Sequence, residues 1–300
     1  MLAGVEAALS GRCEVAMRTV EVLLHEAIDY AGLFPPAGLD LEATVRNYAA
    51  YRAGPDAWAL GGLVLPAARL AEFADRWPQY VVEWPISLLL GTDYDTEMRL
   101  AIDVGLQLDF VECKPGALAD IAEMRRRMPS DGLLFVESPQ GYALQEVIAA
   151  VADAGACAKI RTGGVVTEAI PASKTVAAFL VMCVRYEVRL KATAGLHHAI
   201  RGEHQLTYEP QSPTACMHGF VNFLAAATAA REGANEAEVE EILNDGERAS
   251  FNANVEGLQW RGRRFSVKSI QEMREMFAIS FGSCSFEEPM EEMRVMGWIG

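Results

Sequence analysis

The strongest constraint on the fold is an alternation of short apolar, β-branched runs with longer segments of helical period. This alternation is typical of a parallel sheet whose strands are joined by crossover helices. Eight candidate strands follow a predicted N-terminal helix that contains "VEVLLHEAI". They span residues 29–34, 58–65, 85–91, 108–113, 133–138, 158–162, 188–193 and 277–282.

Eight strands, each followed by a helix, predict a (β/α)8 barrel of the α/β class, with "MEEMRVMGWI" as the closing helix. A doubly wound open sheet is the alternative, but it usually places a glycine-rich dinucleotide loop after its first strand. Here the first strand leads into "FPPAGL", which has no such pattern. A barrel of this kind uses about 250 residues as one domain, so the 300 residues predict a single barrel domain.

The segment between the seventh and eighth candidate strands is much longer than the others. It contains two helical patterns, "HGFVNFLAAATAAREG" and "EAEVEEILND", and a predicted hairpin, "LQWRGRRF", that turns near Gly262. Its apolar residues are too few for a separate core. We therefore predict that residues 199–270 are an insertion at the catalytic face.

The formal charge of −15 argues against a nucleic-acid or anionic-membrane partner, because both require clustered lysines and arginines. The charge does not exclude a small anionic substrate if the basic residues gather in one place.

Residues 1–17 lack the basic start of a secretory signal, and the six cysteines form no CxxC pair, which favours the reducing cytoplasm. No apolar run approaches the roughly 18 residues of a membrane span. The sequence does not determine the oligomeric state, and a homo-oligomer is one of the alternatives.

Charged residues stand at the ends of four neighbouring candidate strands, where a barrel of this kind carries its active site. Lysine and glutamate are rarely buried unpaired, so this clustering needs a reason. One reason is a set of ion pairs that close the barrel end, such as Lys159 with Glu137. The charged residues are Asp109, Glu112 and Lys114 on the fourth strand, Glu137 on the fifth, Lys159 and Arg161 on the sixth, and Lys191 on the seventh.

Lys159 and Lys191 are expected at equivalent heights on adjacent strands. Two neighbouring ammonium groups lower each other's pKa, and burial lowers it further. A lysine that is neutral near pH 7 is a nucleophile for carbonyl compounds. The pair therefore predicts a lysine that forms an imine with its substrate.

The two lysine motifs resemble those of class I aldolases of the deoxyribose-phosphate aldolase type. That family ends its sixth strand with Lys-Thr-Ser-Thr-Gly and its seventh with Lys-Ala-Ser-Gly-Gly, and this chain has "KIRTG" and "KATAG", residues 159–163 and 191–195. "FVES" and "FGSCS" are similar to the family's fifth and eighth strand ends. The likeness covers roughly residues 133–198 and 277–286. It implies a Schiff-base lyase in which Lys159 forms the imine and Lys191 tunes it.

Two departures from that family concern the substrate. Arg161 replaces a small hydroxyl residue, and an arginine beside the imine suits a carboxylate, which indicates a keto acid. His197 and His198 follow the seventh strand where the family has Ile-Arg. We predict substrate-binding roles for Arg161, Thr193, Gly195, His197, His198, Gly282, Ser283 and Ser285, the last three holding a second anionic group with the backbone.

The predicted catalytic set also contains carboxylates, with Asp109 or Glu112 as general acid and base beside Glu137. This chemistry requires no organic cofactor. A metal-dependent lyase or isomerase is the rival, in which His197 and His198 hold a divalent ion with Glu112 or Glu137. No HxH or HExxH spacing supports that site. A non-catalytic barrel subunit with both lysines locked in ion pairs is a further alternative.

Overall fold

The computed structural model describes residues 18–300 and shows a closed barrel of eight parallel strands surrounded by helices. The predicted (β/α)8 fold is confirmed. Around the barrel the strands lie in the order β1-β13-β7-β6-β5-β4-β3-β2. In chain order the strands are β1 (Ile28–Tyr30), β2 (Leu60–Pro66), β3 (Ile86–Leu89), β4 (Phe110–Cys113), β5 (Leu133–Glu137), β6 (Cys157–Arg161), β7 (Leu190–Thr193), β8 (Gly202–Gln205), β9 (Thr214–Met217), β10 (Phe251–Asn254), β11 (Gly257–Trp260), β12 (Arg263–Ser266) and β13 (Ala278–Ser283).

The helices form the outer layer, and most of them bury one apolar stripe against the barrel. Residues 18–24 are helical and precede β1. The predicted absence of a secretory signal concerns residues 1–17, which lie outside the described part. The later helices are α1 (Leu41–Arg52), α2 (Leu70–Arg76), α3 (Pro78–Glu83), α4 (Tyr94–Asp103), α5 (Leu118–Arg127), α6 (Leu144–Asp153), α7 (Ser173–Arg185), α8 (Phe220–Arg231), α9 (Glu236–Asn244), α10 (Val267–Met276) and α11 (Glu287–Val295).

The segment between β7 and β13 contains more than the predicted two helices and hairpin. Strands β8 and β9 form a two-stranded antiparallel sheet, and β10, β11 and β12 form a three-stranded one. The predicted turn near Gly262 joins β11 to β12, and β10 is an addition. Buried residues of this segment, among them Phe223, Val239 and Phe265, belong to the same apolar cluster as the barrel strands.

The first strand ends at Tyr30, four residues before its predicted end. Residues 31–38 turn back over the barrel end with hydrogen bonds such as Phe34 N to Ala31 O.

Contrary to expectation, Thr167–Arg185 is long and apolar enough, by length and composition, to span a membrane. In the structure this stretch contains α7, whose Val176 and Leu180 are buried within the barrel's core cluster.

The strand register places the two lysine motifs side by side. Lys159 on β6 pairs in register with Lys191 on β7, and Glu137 on β5 pairs with Lys159. Ser280 on β13 is the partner of Lys191 on its other side. The expected equal height of the lysines is therefore confirmed.

Candidate active site

Lys191 lies inside the barrel and is almost completely buried, with 1% of its side chain exposed. Its Nζ donates to Oδ2 of Asp29 at 2.5 Å and to Oε1 of Glu112 at 2.7 Å. The ammonium also lies 5.3 Å from the ring centre of Phe135, within cation–π range. Two carboxylates from opposite parts of the barrel therefore hold one lysine.

Glu112 bridges the two lysines through its two oxygens. Oε1 accepts from Lys191, and Oε2 lies 2.8 Å from Nζ of Lys159. The hydroxyl of Ser87 donates to Oε1 at 2.7 Å and fixes the carboxylate. Burial raises the pKa of Glu112, but Lys191 and Lys159 outweigh burial and hold it well below its usual range. Glu112 is therefore an anion placed between two cations.

The pKa of Lys191 is raised, so the prediction that the lysines lower each other's pKa is wrong for this residue. Burial lowers the pKa, but the charges of Asp29 and Glu112 and their hydrogen bonds raise it by more. The effect of Lys159 is reduced because Glu112 lies between the two ammonium groups. Lys191 therefore remains charged.

Lys159 has fewer and looser partners. Its Nζ contacts Glu112 at 2.8 Å and Oε2 of Glu137 at 3.4 Å, which confirms the predicted pair with Glu137. Burial raises the pKa of Glu137, whereas Lys159, Arg161 and Lys114 lower it by more. Arg161 and Lys114 are half exposed and lie at the outer end of this group.

The glycines of the two lysine motifs contact each other through their backbones. A Cβ atom on Gly163 would lie 2.7 Å from the Cα of Gly195, and the reverse distance is the same. Gly195 also has a φ of +79°, which disfavours side chains. Thr162 strengthens the contact, because its hydroxyl donates to the carbonyl oxygen of Ala194 at 2.6 Å. The repeated motif thus holds β6 and β7 together directly beyond their lysines.

Asp109 does not belong to the site, so its predicted role as general acid or base is wrong. It precedes β4 and stands at the opposite end of that strand from Glu112, with an exposed side chain. Its carbonyl oxygen accepts from the amide of Leu133. Two strand residues, Phe110 and Val111, separate Asp109 from Glu112, the carboxylate that takes part.

His197 lies in a second buried group at the ends of β7 and β13. Its Nδ1 is 3.1 Å from the hydroxyl of Ser283 and 3.3 Å from Oε2 of Glu288, and Sγ of Cys284 is 3.9 Å from either ring nitrogen. Burial lowers the pKa of His197, but Cys284 and Glu288 raise it to about 9. Tyr208 approaches the same thiol, with its hydroxyl 3.7 Å from Sγ.

The remaining predicted substrate-binding residues lie around this second group. Nδ1 of His198 is 2.7 Å from Oε1 of Glu292. Ser285 accepts from the amide of Glu288 and so caps α11. Thr193 and Gly282 are register partners on β7 and β13.

A small cavity of about 40 Å³ lies at this end of the barrel, between the β7 loop and the segment that joins β8 to β9. Gly195, His197 and His198 line it from one side and Tyr208 from another. Pro35 also lines it. Within residues 18–300, no group of three or more histidine, cysteine, aspartate and glutamate side chains is placed to hold a metal ion.

Asp29, Ser87 and Ser280 are site residues that the sequence reasoning missed. The Ser280 hydroxyl donates to Oδ2 of Asp29 at 2.6 Å, and the amide of Gly62 donates to Oδ1 at 2.8 Å. The available signal was an aspartate within the apolar first strand, since a buried lysine requires a nearby anion. The serines carry no such signal.

Comparison with known proteins gives no match to this chain, either among protein-family models or among curated proteins. The likeness to the deoxyribose-phosphate aldolase type therefore stays a prediction based on the four strand ends.

Proposed function

We propose that this protein is a class I lyase of the aldolase type, which makes or breaks a carbon–carbon bond in a small anionic oxo compound through a lysine imine. The observation that carries the proposal is the bridge from Lys159 through Glu112 to Lys191, buried inside the barrel. The two lysines share this one carboxylate, and a lysine amine is the side-chain group that forms imines with carbonyl compounds.

Lys159 is the nucleophile in this proposal. Lys191 donates to two carboxylates at 2.5 and 2.7 Å and stays charged. Lys159 shares its one close carboxylate with Lys191, and its second partner, Glu137, is 3.4 Å away. Lys159 is therefore the less tightly held of the two lysines, and we assign it the role of nucleophile.

Glu112 is the proposed proton acceptor because it is the carboxylate nearest to Lys159. The Lys159 amine adds to the carbonyl carbon. The carbonyl oxygen takes one proton from the amine and the proton held by Glu112 and leaves as water, and a protonated imine remains. That imine accepts the electron pair released when the neighbouring carbon–carbon bond breaks, while the hydroxyl group of the departing fragment loses its proton and becomes a carbonyl. The resulting enamine is protonated, and water hydrolyses the imine to free Lys159. The fixed charge of Lys191 keeps Glu112 in place through these steps.

The lysine content supports this assignment. Of the 26 basic residues only five are lysines, and two of those five are the pair inside the barrel. Arginine cannot replace a lysine nucleophile, because its guanidinium keeps its proton.

We place the activity in the reducing cytoplasm, since the five cysteines of the described region are all free.

A non-catalytic barrel is the second candidate, and one observation favours it. Among residues 18–300, the buried side-chain nitrogens and oxygens without a hydrogen-bond partner are Ser173 Oγ and Arg274 Nε. The polar atoms around Lys191 thus all have hydrogen-bond partners, as those of a purely structural network would. A structural network makes no covalent adduct, so the two candidates differ in one measurement.

Borohydride trapping tests the proposal. The purified protein is incubated with a panel of aldehydes and oxo acids, reduced, and read by intact mass and by peptide mapping over the five lysines. We expect one adduct on Lys159, no adduct in Lys159→Met, and an unchanged adduct in Lys268→Met, whose side chain is 85% exposed.

The lyase proposal is wrong if no member of a broad panel is trapped, or if adducts spread over the exposed lysines as in the denatured protein. A parallel sample with chelator addresses the metal-dependent rival. Trapping on Lys159 that persists with chelator supports the imine, whereas turnover that chelator abolishes without any adduct supports the metal.

A further inference from the structure

Glu137 faces three cations without a close contact to any of them. Oε1 lies 3.4 Å from Nζ of Lys114 and 3.8 Å from Nε of Arg161, and Oε2 lies 3.4 Å from Nζ of Lys159. A charge-assisted hydrogen bond is typically about 2.7–2.9 Å long. Glu137 is therefore a loosely held anion in a locally cationic group.

Lys114 and Arg161 have bonding capacity left over. Their side chains are 53% and 51% exposed, and in the described structure Glu137 is the acidic group within 4 Å of each. Lysine carries three N–H donors and arginine five. Glu112 contacts Lys159 and Lys191 and therefore does not neutralise Lys114 or Arg161. Glu137 is thus the one carboxylate that serves both Lys114 and Arg161 in the described structure.

We infer that Lys114 and Arg161 form a carboxylate subsite and that the substrate is a 2-oxo acid. This inference rests on the proposed function, because Lys159 fixes the position of the carbonyl carbon. The substrate carboxylate supplies the negative charge that Lys114 and Arg161 lack. Glu137 is then a resident counter-ion that opposes the incoming anion.

The spacing selects the 2-oxo acid. The contacts to Lys159 on one side and to Lys114 and Arg161 on the other are made by the two oxygens of one carboxyl group. The gap between nucleophile and cations is therefore about the size of a carboxylate. In a 2-oxo acid the carboxylate is bonded directly to the reacting carbon, which matches this gap. An acid with a longer spacer would carry its carboxylate past the two cations.

The turn after β13 offers no competing anion site. The hydroxyl of Ser283 is occupied by His197, and that of Ser285 accepts from the amide of Glu288. Glu287 and Glu288 lie in the first turn of α11, where their charges repel a phosphate. The predicted role of this turn in holding a second anionic group is not supported, and the anionic group is assigned to the Lys114 side.

Calorimetric titration with oxamate tests the subsite without imine chemistry, because oxamate has the 2-oxo acid shape but an unreactive amide carbonyl. Neutral oxamide is the matched ligand without a carboxylate. We expect oxamate to bind more tightly than oxamide and to lose at least tenfold in affinity in both Lys114→Met and Arg161→Met. We expect Glu137→Gln to bind oxamate several-fold more tightly, and Lys268→Met to bind like the wild type.

Trapping with pyruvate and with its methyl ester completes the test. We expect pyruvate to be trapped on Lys159 more efficiently than the ester, and Arg161→Met to remove that preference. Oxamate binding that depends on Arg161, without any trapping, would uphold the carboxylate subsite and overturn the imine. Trapping of pyruvate no better than of its ester, with no oxamate binding, would uphold the imine and overturn the subsite. Unfolding midpoints of the variants exclude misfolding as a cause.

Discussion

Lys159 and Lys191 are register partners on adjacent strands, and the two oxygens of Glu112 lie between their ammonium groups at 2.8 and 2.7 Å. Their environments differ although their motifs are alike. Lys191 has Asp29 as a second close anion, whereas Lys159 has the looser Glu137. This asymmetry divides the pair into one fixed cation and one reactive candidate.

Loss of the Lys191 charge should destabilise the protein strongly. In Lys191→Met, Asp29 keeps a buried negative charge without its lysine, and Glu112 retains only Lys159. Breaking a buried ion pair from one side typically costs about 3–5 kcal/mol. We expect a fall of that order in the free energy of unfolding, measured by urea denaturation.

The control for this prediction removes the stranded charges as well. The triple variant Lys191→Met, Asp29→Asn, Glu112→Gln should recover part of the loss, because neutral groups cost less to bury. A single variant as stable as Lys268→Met would show that the buried pairs contribute little.

Glu112→Gln should make Lys159 more reactive. Without the bridging carboxylate the two ammonium groups face each other directly, and each favours loss of the other's proton. We expect the pH midpoint for labelling of Lys159 by a small amine reagent to fall by about one unit or more. Peptide mapping reads Lys268 in the same sample as the reference. An unchanged midpoint would mean that Glu112 does not separate the two charges.

Gly195→Ala should destabilise the protein more than the matched change at Gly262. Both glycines have positive φ, +79° and +87°, but nothing lies within 4 Å of a Cβ on Gly262. Gly262→Ala therefore measures the backbone cost alone, about 1–2 kcal/mol. Gly195→Ala adds a clash with Gly163 at 2.7 Å. Equal unfolding free energies for the two variants would contradict a tight contact between the strand ends.

His197 should contribute stability that depends on pH. Its pKa in the folded protein is raised to about 9, above the unfolded value of about 6.5. The contribution is therefore complete below about pH 6.5, declines as the pH rises, and is lost above about pH 9. At roughly 1.4 kcal/mol per pKa unit it amounts to at most about 3 kcal/mol.

Urea denaturation from pH 6 to 10 checks this prediction, with His197→Gln expected to show a flatter profile than the wild type. Cys284 and Tyr208 contact the same group. The variant Cys284→Ser separates the thiol's effect from that of the imidazole. Parallel profiles for the wild type and His197→Gln would overturn the assignment.

The strand count and the positions of both lysines could be predicted because they depend on local patterns. Apolar runs mark the strands, and a shared register follows from equal spacing to the glycine turns. The pKa of Lys191 could not be predicted, because its second anion, Asp29, comes from a strand far away in the sequence. Which residues meet across a barrel depends on the stagger of all eight strands.

The position of Asp109 relative to the site could not be predicted either, although Asp109 is close to Glu112 in the sequence. It and Glu112 belong to one short segment, and the sequence alone did not show where β4 begins. A start at Phe110 places Glu112 inside the barrel and Asp109 outside its lower rim. Asp109 and Glu112 are three positions apart in the chain, so the first precedes β4 and is exposed whereas the second lies within the strand and is buried.

The buried charges form a continuous series from Glu137 through Lys159, Glu112 and Lys191 to Asp29. Asp29 also lines a cavity of about 960 Å³ at the opposite end of the barrel, together with Ser280. A ligand that covers Lys159 covers the Glu137 end of this series and leaves the Asp29 end unchanged. The series therefore links the candidate site at one end of the barrel to the cavity at the other through ion pairs alone.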